Sequence, residues 1–421
     1  MHVSPAPRRW RRSTDGARAS RGLVVPQGSR RTWSWVTVAS FVAWGLVAVF
    51  LGHWSLTRAI DLQVYRDAAR DMLSGGATYV RSFTVHGLPF TYPPFALLVL
   101  APLSYGSATT VVWVWGAASG LALVVALTAV VRHAVSLSWP KTLAVAAAVA
   151  GVSCLALEPV RSTLLDGQIN LFLLAAVVLD LLVVRPPFRG ILVGLAAAVK
   201  LTPLIFLVYF VASGDRRSAM RAGGAFLAAT GLAWVVLPKD SSMFWLHQAF
   251  SPGHKGGTRT SFNQSWWGLV GRLPATDGAV RTAAWLALCA ATLCVGAFLA
   301  RRLARTGRTL EAILVVAVAG LLVSPVSWTH HWSWLVLAPV VLVAGQPRPR
   351  VVTWALGIVL VVAAISPYGW HLHGPGAVLA SFSLVLCGAA LLATMAAVEW
   401  RRGPARTHSS AARAPEPAAA P

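Results

Sequence analysis

Ile191 to Val211 reads ILVGLAAAVKLTPLIFLVYFV. The run is close to the roughly 20 apolar residues that cross a bilayer, yet its middle carries Lys200-Leu201-Thr202-Pro203. Pro203 removes a backbone donor and interrupts helical hydrogen bonding. A lysine at mid-membrane costs about 2.5–3.5 kcal/mol on insertion scales. Arginines flank both ends, Arg189 before and Arg216, Arg217 and Arg221 after. A single crossing would strand one of these clusters outside, against the inside bias of Lys and Arg. The pattern therefore predicts two short helices forming a hairpin, with Lys200 near the tip. Broken backbone of this kind persists in a membrane only where protein or a water-filled cavity surrounds it. Lys200 thus points to a cavity; snorkelling to an interface is the less favoured alternative.

The rest of the chain has the same character. Of its 421 residues, 56% are hydrophobic and 12% charged, against roughly a quarter charged in soluble proteins. Further apolar runs cover Trp33 to Leu51, Thr109 to Val131, Leu143 to Leu157, Ile169 to Val184, Ala219 to Leu237, Ala279 to Ala300, Leu310 to Val323, Trp332 to Ala344, Val351 to Ile365 and Ala377 to Val398. The fold class is an all-α polytopic membrane protein of about 10–12 transmembrane helices, some re-entrant or broken. Residues 33–398 form one integral-membrane domain. Residues 1–32, with eight arginines, read as a disordered basic cytoplasmic tail, and residues 399–421 as a second one. With the N-terminus inside, 25 of the 36 Lys and Arg fall on the cytoplasmic face. The net charge of +23 is thereby a topology signal facing acidic lipids, not a nucleic-acid footprint. The four cysteines all lie in apolar runs without a metal-ligand spacing, and no metal site is expected. No phosphate-binding glycine loop stands in a strand–helix context, so no nucleotide-binding domain and no cofactor is expected.

This topology sends the chemically diverse residues to the outer face. Its loops hold Asp61, Glu158, Asp166, Asn263, Gln264 and eight of the eleven histidines. Only 13 carboxylates occur in the chain, so an acid at the water–lipid boundary is a candidate general base for a hydroxyl. Asp61 opens a stretch, to Tyr79, that reads as a surface helix. Leu62, Tyr65, Ala69, Met72 and Leu73 form its apolar stripe, and Arg66, Asp67 and Arg70 its polar side. An N-cap role for Asp61 is equally compatible. Tyr92-Pro93-Pro94 reads first as a rigid turn with proline in the first turn of a helix; Tyr92 is also a candidate for a sugar or lipid groove. Gln168 and Asn170, after Asp166-Gly167, suit either hydroxyl recognition or helix capping. Asn263-Gln264-Ser265-Trp266-Trp267 offers amides and stacking rings, or interfacial aromatics. Ser324-Pro325-Val326-Ser327-Trp328-Thr329-His330-His331-Trp332 is the most unusual cluster. Its adjacent histidines suit phosphate or sugar hydrogen bonding better than metal ligation, since neighbouring helical positions point apart. His371 and His373 are weaker cases of the same kind.

In this order, Asp61-Leu62-Gln63-Val64-Tyr65, Tyr92-Pro93-Pro94, Gly167-Gln168-Ile169-Asn170, Lys200-Leu201-Thr202-Pro203, Asn263-Gln264-Ser265 and Ser324-Pro325 through His330-His331 resemble glycosyltransferase family 87. These are actinobacterial α-(1→2)-mannosyltransferases of the GT-C architecture. The resemblance spans Trp33 to Val398. It implies an inverting transfer of mannose from a β-linked polyprenyl-phosphate donor to a glycolipid or lipoglycan hydroxyl, at the outer face of the cell membrane. Asp61 matches the catalytic acid of the first outer loop, and His330 and His331 match the histidine pair. Lys200, His330, His331 and Arg66 are then candidates for the donor phosphate. Tyr65, Tyr92, Gln168, Asn170, Asn263, Gln264 and Trp328 are candidates for substrate contact. The competing function class is a lipid or glycolipid transporter, whose broken helices also carry intramembrane charge.

Overall fold

The computed structural model describes residues 30–51, 58–249, 260–273, 278–344, 348–365 and 375–403. Both tails, apart from their membrane-proximal ends, and His371 and His373 lie outside the described residues. The protein is a helical multi-pass membrane protein. The first half contains α1 (Arg30–Leu51), α2 (Ile60–Leu73), α3 (Pro94–Leu100), α4 (Ala108–Ala134), α5 (Trp139–Ala156), α6 (Glu158–Leu165), α7 (Asn170–Leu182), α8 (Ile191–Val199) and α9 (Phe206–Ser213). The second half contains α10 (Arg216–Val236), α11 (Pro238–Ser242), α12 (Trp266–Arg272), α13 (Gly278–Arg305), α14 (Thr309–Val323), α15 (Ala338–Ala344), α16 (Arg350–Ile365), α17 (Pro375–Ser381) and α18 (Ser383–Arg401). A 3₁₀ segment covers Thr329–Leu337.

Among the described residues, α4, α5, α10, α13 and α18 are long and apolar enough to cross a bilayer, and α6 with α7 makes a sixth span bent by 118°. The other apolar runs form shorter helices. Most of α14 is buried; it packs on α9, α13, α18 and the 3₁₀ segment. A helix lined by protein need not match the hydrocarbon thickness, which is how fewer long spans serve a chain with this many apolar runs.

The hairpin expected around Lys200 is present. Arg221, on the first turns of α10, donates from Nε to the Arg189 carbonyl and from Nη2 to the Pro186 carbonyl, both at 2.7 Å. The chain therefore leaves through α8 and returns through α9 to the same end of the bundle. Asp180, wholly buried near the end of α7, holds the start of α8. Its two oxygens accept from Gly190 N at 2.8 and 2.9 Å, and Oδ2 also accepts from Val193 N at 2.9 Å. Gly190 sits at φ +103°, and a Cβ there would lie 2.2 Å from the Ser218 carbonyl oxygen, so only glycine fits. Asp180→Ala strands two buried backbone donors. Its expected cost is about 1–3 kcal/mol, checked by thermal melting of the detergent-purified protein, with Asp180→Asn losing less.

The same end of the bundle carries an ion cluster. Arg308 pairs with Glu311 and, at 2.5 Å, with Glu399; Arg348 meets Glu311 at 2.6 Å and Arg402 meets Glu399 at 3.0 Å. The fifteen residues of α14 rise about 22 Å from this cluster to the loop carrying the histidine pair.

At that other end, residues 78–107 roof over α2. They include a small hairpin of β1 (Ser82–Phe83) and β2 (Leu88–Pro89). Two expectations are corrected here. The helix begun near Asp61 stops at Leu73, not Tyr79, because Gly75 turns at φ +75° and the Asp71 carboxylate occupies the space beside Gly76. Asp71 then anchors the turn, accepting from Thr78 Oγ1 at 3.2 Å and Arg81 Nη1 at 2.5 Å. Nor is the side bearing Arg66 solvated. Arg66 is 6% exposed, and its Nη2 donates to the Gly106 carbonyl at 2.8 Å.

Candidate active site

The site forms where the start of α2, the α6–α7 bend, the hairpin tip and the 3₁₀ segment meet. The two helix starts that enter it are not capped by the side chains that face inward. Ala59, not Asp61, occupies the cap position of α2 and makes no side-chain cap. The first N–H groups are taken by the Asp166 carbonyl, from Asp61 N at 2.9 Å and Leu62 N at 3.2 Å. Asp61 is therefore free of the capping role. Similarly, the cap position of α7 is Ile169, without a side-chain bond, so Gln168 and Asn170 are not caps.

Lys200 is the hub. It stands in extended backbone at the end of α8 and is 6% exposed. Its Nζ lies 2.8 Å from Asn170 Oδ1, 3.1 Å from Tyr92 Oη, 3.1 Å from His331 Nε2 and 3.5 Å from Gln168 Oε1. It also sits 4.9 Å from the Tyr92 ring centre, a cation–π distance. Tyr65 and Tyr92 share a 2.7 Å hydroxyl contact, and both donate to Gln168 Oε1, at 3.1 and 3.0 Å. Tyr79 donates to the Tyr92 carbonyl at 2.6 Å and so fixes the turn before Pro93. The anticipated proline turn is present, with Pro94 opening α3, and it carries a phenol into the centre of the network.

His330 and His331 stand edge to face, ring centres 4.8 Å apart. His331 faces Lys200. His330 Nδ1 lies 3.4 Å from Asp166 Oδ2. The His330 carbonyl accepts from Thr163 Oγ1 at 3.0 Å and Asn170 Nδ2 at 3.2 Å. Burial raises the Asp61 carboxyl above its ordinary range. His330 opposes that rise, Asp166 adds to it, and the Gln168 hydrogen bond and Lys200 oppose it. Burial likewise pushes the Tyr65 and Tyr92 phenols up, Tyr92 further under the influence of Asp61, so both remain protonated donors. A small, partly open pocket borders the cluster; Asn170, His331 and Thr202 give it polar walls, and Leu173, Phe206 and Trp334 apolar ones.

The structure thus brings together Asp61, Tyr65, Tyr92, Gln168, Asn170, Lys200, His330 and His331. Four expected contributors, Arg66, Asn263, Gln264 and Trp328, lie elsewhere. Arg66 is tied to Gly106, as above. Asn263 Oδ1 accepts from Ser265 Oγ and Ser327 N, both at 2.9 Å, while Nδ2 donates to the Pro325 carbonyl at 3.1 Å. Gln264 Oε1 receives Leu384 N and Val385 N at 3.1 and 3.2 Å and so caps α18, while Nε2 donates to the carbonyls of Ser261 and Ser381. Both amides are wholly buried, bonded to backbone groups and, for Asn263, to the Ser265 hydroxyl. Trp328 is half-buried, its backbone bridged to Asn263, two residues before His330. Trp266 donates to Thr292 Oγ1 at 2.8 Å.

The description "Glycosyltransferase family 87" matches residues 90–325. A polyprenol-phosphate-mannose-dependent alpha-(1-2)-phosphatidylinositol mannoside mannosyltransferase of Mycobacterium tuberculosis is 33% identical, covering 80% of this chain and 79% of its own length. The protein of the same description in Mycolicibacterium smegmatis is also 33% identical, over 80% and 82%. A phosphatidylinositol pentamannoside mannosyltransferase of M. tuberculosis is 31% identical, over 90% and 85%. No solved structure matches the chain.

Proposed function

This chain belongs to glycosyltransferase family 87, and from that premise we propose that it moves mannose from a polyprenyl-phosphate donor to a hydroxyl of a phosphatidylinositol mannoside or related envelope lipoglycan, forming an α-(1→2) linkage. The protein is a membrane glycosyltransferase; donor, acceptor and residue roles are our reading. The observation that carries it is the convergence of one carboxylate, one ammonium and two imidazoles from three distant parts of the chain. Such a set has a division of labour. The Asp61 carboxylate takes the proton of the acceptor hydroxyl as its oxygen attacks the anomeric carbon. The bond from that carbon to the phosphate oxygen breaks, through a transition state with oxocarbenium character. The leaving polyprenyl phosphate gains one negative charge, which Lys200, His330 and His331 stabilise. One displacement inverts a β-linked donor to an α-linked product. Tyr65, Tyr92, Gln168 and Asn170 hold these groups and meet sugar hydroxyls. The bordering pocket, polar at one wall and apolar at the other, suits a phosphate joined to a prenyl chain.

The basic ends of the bundle then face the cytoplasm, with both termini, and the site opens to the outer face. The test is incubation of the purified protein with labelled polyprenyl-phosphate mannose and a phosphatidylinositol mannoside acceptor. Label in a new α-(1→2)-linked glycolipid is the expected result. Movement of unaltered donor across liposomes, with no new linkage, would assign the chain to transport instead.

A further inference from the structure

We propose that Asp166 is the positioning residue of this centre, fixing Asp61 with its main chain and His330 with its side chain; this rests on the reading of Asp61 and His330 given above. The first half of the argument is the helix start. Asp166 O accepts from both Asp61 N and Leu62 N, so the backbone of the catalytic acid is seated on this one carbonyl. The next residue, Gly167, turns at φ +70°, and a Cβ there would lie 2.4 Å from Leu62 Cβ. The α6–α7 bend is therefore pressed directly against α2, with no slack to shift the carbonyl.

The second half is the imidazole. Thr163 and Asn170 anchor the His330 main chain through its carbonyl, which leaves the ring free to turn about χ1 and χ2. The Asp166 carboxylate, at 3.4 Å from Nδ1, removes that freedom. An acceptor at Nδ1 keeps a proton on that nitrogen. The other ring nitrogen, Nε2, is buried and has no partner among the described residues. It is left over for a substrate oxygen and donates there when both ring nitrogens carry protons, and the neighbouring Asp61 carboxylate senses the charge of this ring. The charged or titratable groups that meet or act on His330 are Asp61 from α2, Asp166 from the α6–α7 bend and His331 on its own segment. Of these only Asp166 meets Nδ1. When the sugar–phosphate bond breaks, its electron pair stays on the phosphate, and Nε2–H hydrogen-bonds that oxygen without giving up its proton. The acceptor proton goes to Asp61 and later to water.

Steady-state kinetics of the full chain, with polyprenyl-phosphate mannose and a phosphatidylinositol mannoside, test this on Asp166→Asn, His330→Gln and the double variant. Each single change should lower kcat by about tenfold to a hundredfold, the range of a charge-assisted hydrogen bond. The double variant should be no slower than His330→Gln alone, because the carboxylate acts through the ring. Asp166→Glu, which keeps the charge, should recover part of the loss. Additive losses, with no recovery in Asp166→Glu, would make Asp166 merely structural and overturn the proposal. Should Asp61→Asn keep full transfer while Asp166 and His330 remain coupled, the base assignment fails and the positioning role stands.

Discussion

Asp61→Asn should lower mannosyl transfer by about 10²–10⁴-fold, the span of a positioned general base, with insertion and melting temperature essentially unchanged. The change touches little else. The start of α2 is held by the Asp166 carbonyl, not by the Asp61 side chain, and Asn has nearly the same shape. What disappears is a proton acceptor whose affinity for the proton is raised by burial, which makes it a stronger base than an exposed carboxylate. The sign of the pH dependence follows. The base works only when deprotonated, so transfer is present above its raised pKa and is lost as pH falls through it. The acidic limb of the wild-type profile should lie above the ordinary aspartate value of about 3.9. Because Asp166 contributes to the rise, Asp166→Asn should move that limb down. Kinetics with labelled donor, run beside a melting curve, check both points. Transfer by Asp61→Asn within tenfold of wild type would remove the residue from the reaction.

Which parts of this centre were legible in the sequence depends on whether a residue breaks a rule. Lys200 and Pro203 break the rule for an apolar span, and the arginines at both flanks leave a hairpin as the economical answer; Arg221 bonded to Arg189 and Pro186 is its structural form. Asp61 is conspicuous because carboxylates are scarce. Amides carry no such signal. Gln168 and Gln264 look alike in sequence, each beside a candidate helix start, yet only Gln264 caps a helix, α18, more than a hundred residues further on. Arg66 failed for a different reason. Helical periodicity places it on the polar side of α2, but the roof formed by residues 78–107 covers that side, and a period of 3.6 cannot see a roof. Asp166 and Asp180 share the scarcity argument with Asp61. Neither was nominated for a role, because their partners, His330 and the start of α8, are defined only by packing across the bend and the hairpin. The stop at Leu73 was readable after all, since Gly75-Gly76 is a helix terminator.

Lys200→Met should lower kcat by about 10²–10³-fold, the scale of removing one preorganised contact to a developing anion, while the protein stays as stable or nearly so. The two halves of this expectation have opposite physical origins. In the resting protein Lys200 is a buried cation whose close partners are neutral: Asn170, Tyr92, Gln168 and His331. Desolvation of such a charge is expensive, and methionine of similar length removes it. Against this, Asn170 Oδ1 and His331 Nε2 lose their donor, about 1–3 kcal/mol for each group left unsatisfied. The terms oppose each other, and the melting temperature should move little. Catalysis has no such compensation. The phosphate leaves with one more negative charge than it brought, and the ammonium meets that charge. The ammonium is itself buried, and its interaction is strongest when the charge has developed, so the loss should fall on kcat and not on KM for the donor. Lys200→Arg is the sharper control. It keeps the charge, but its planar fork does not fit between Tyr92 and Asn170 as a compact ammonium does, so it should recover only part of the rate. A Lys200→Met enzyme that turns over near the wild-type rate, whatever its stability, would show that the lysine is there for the fold and that the phosphate is met by other groups.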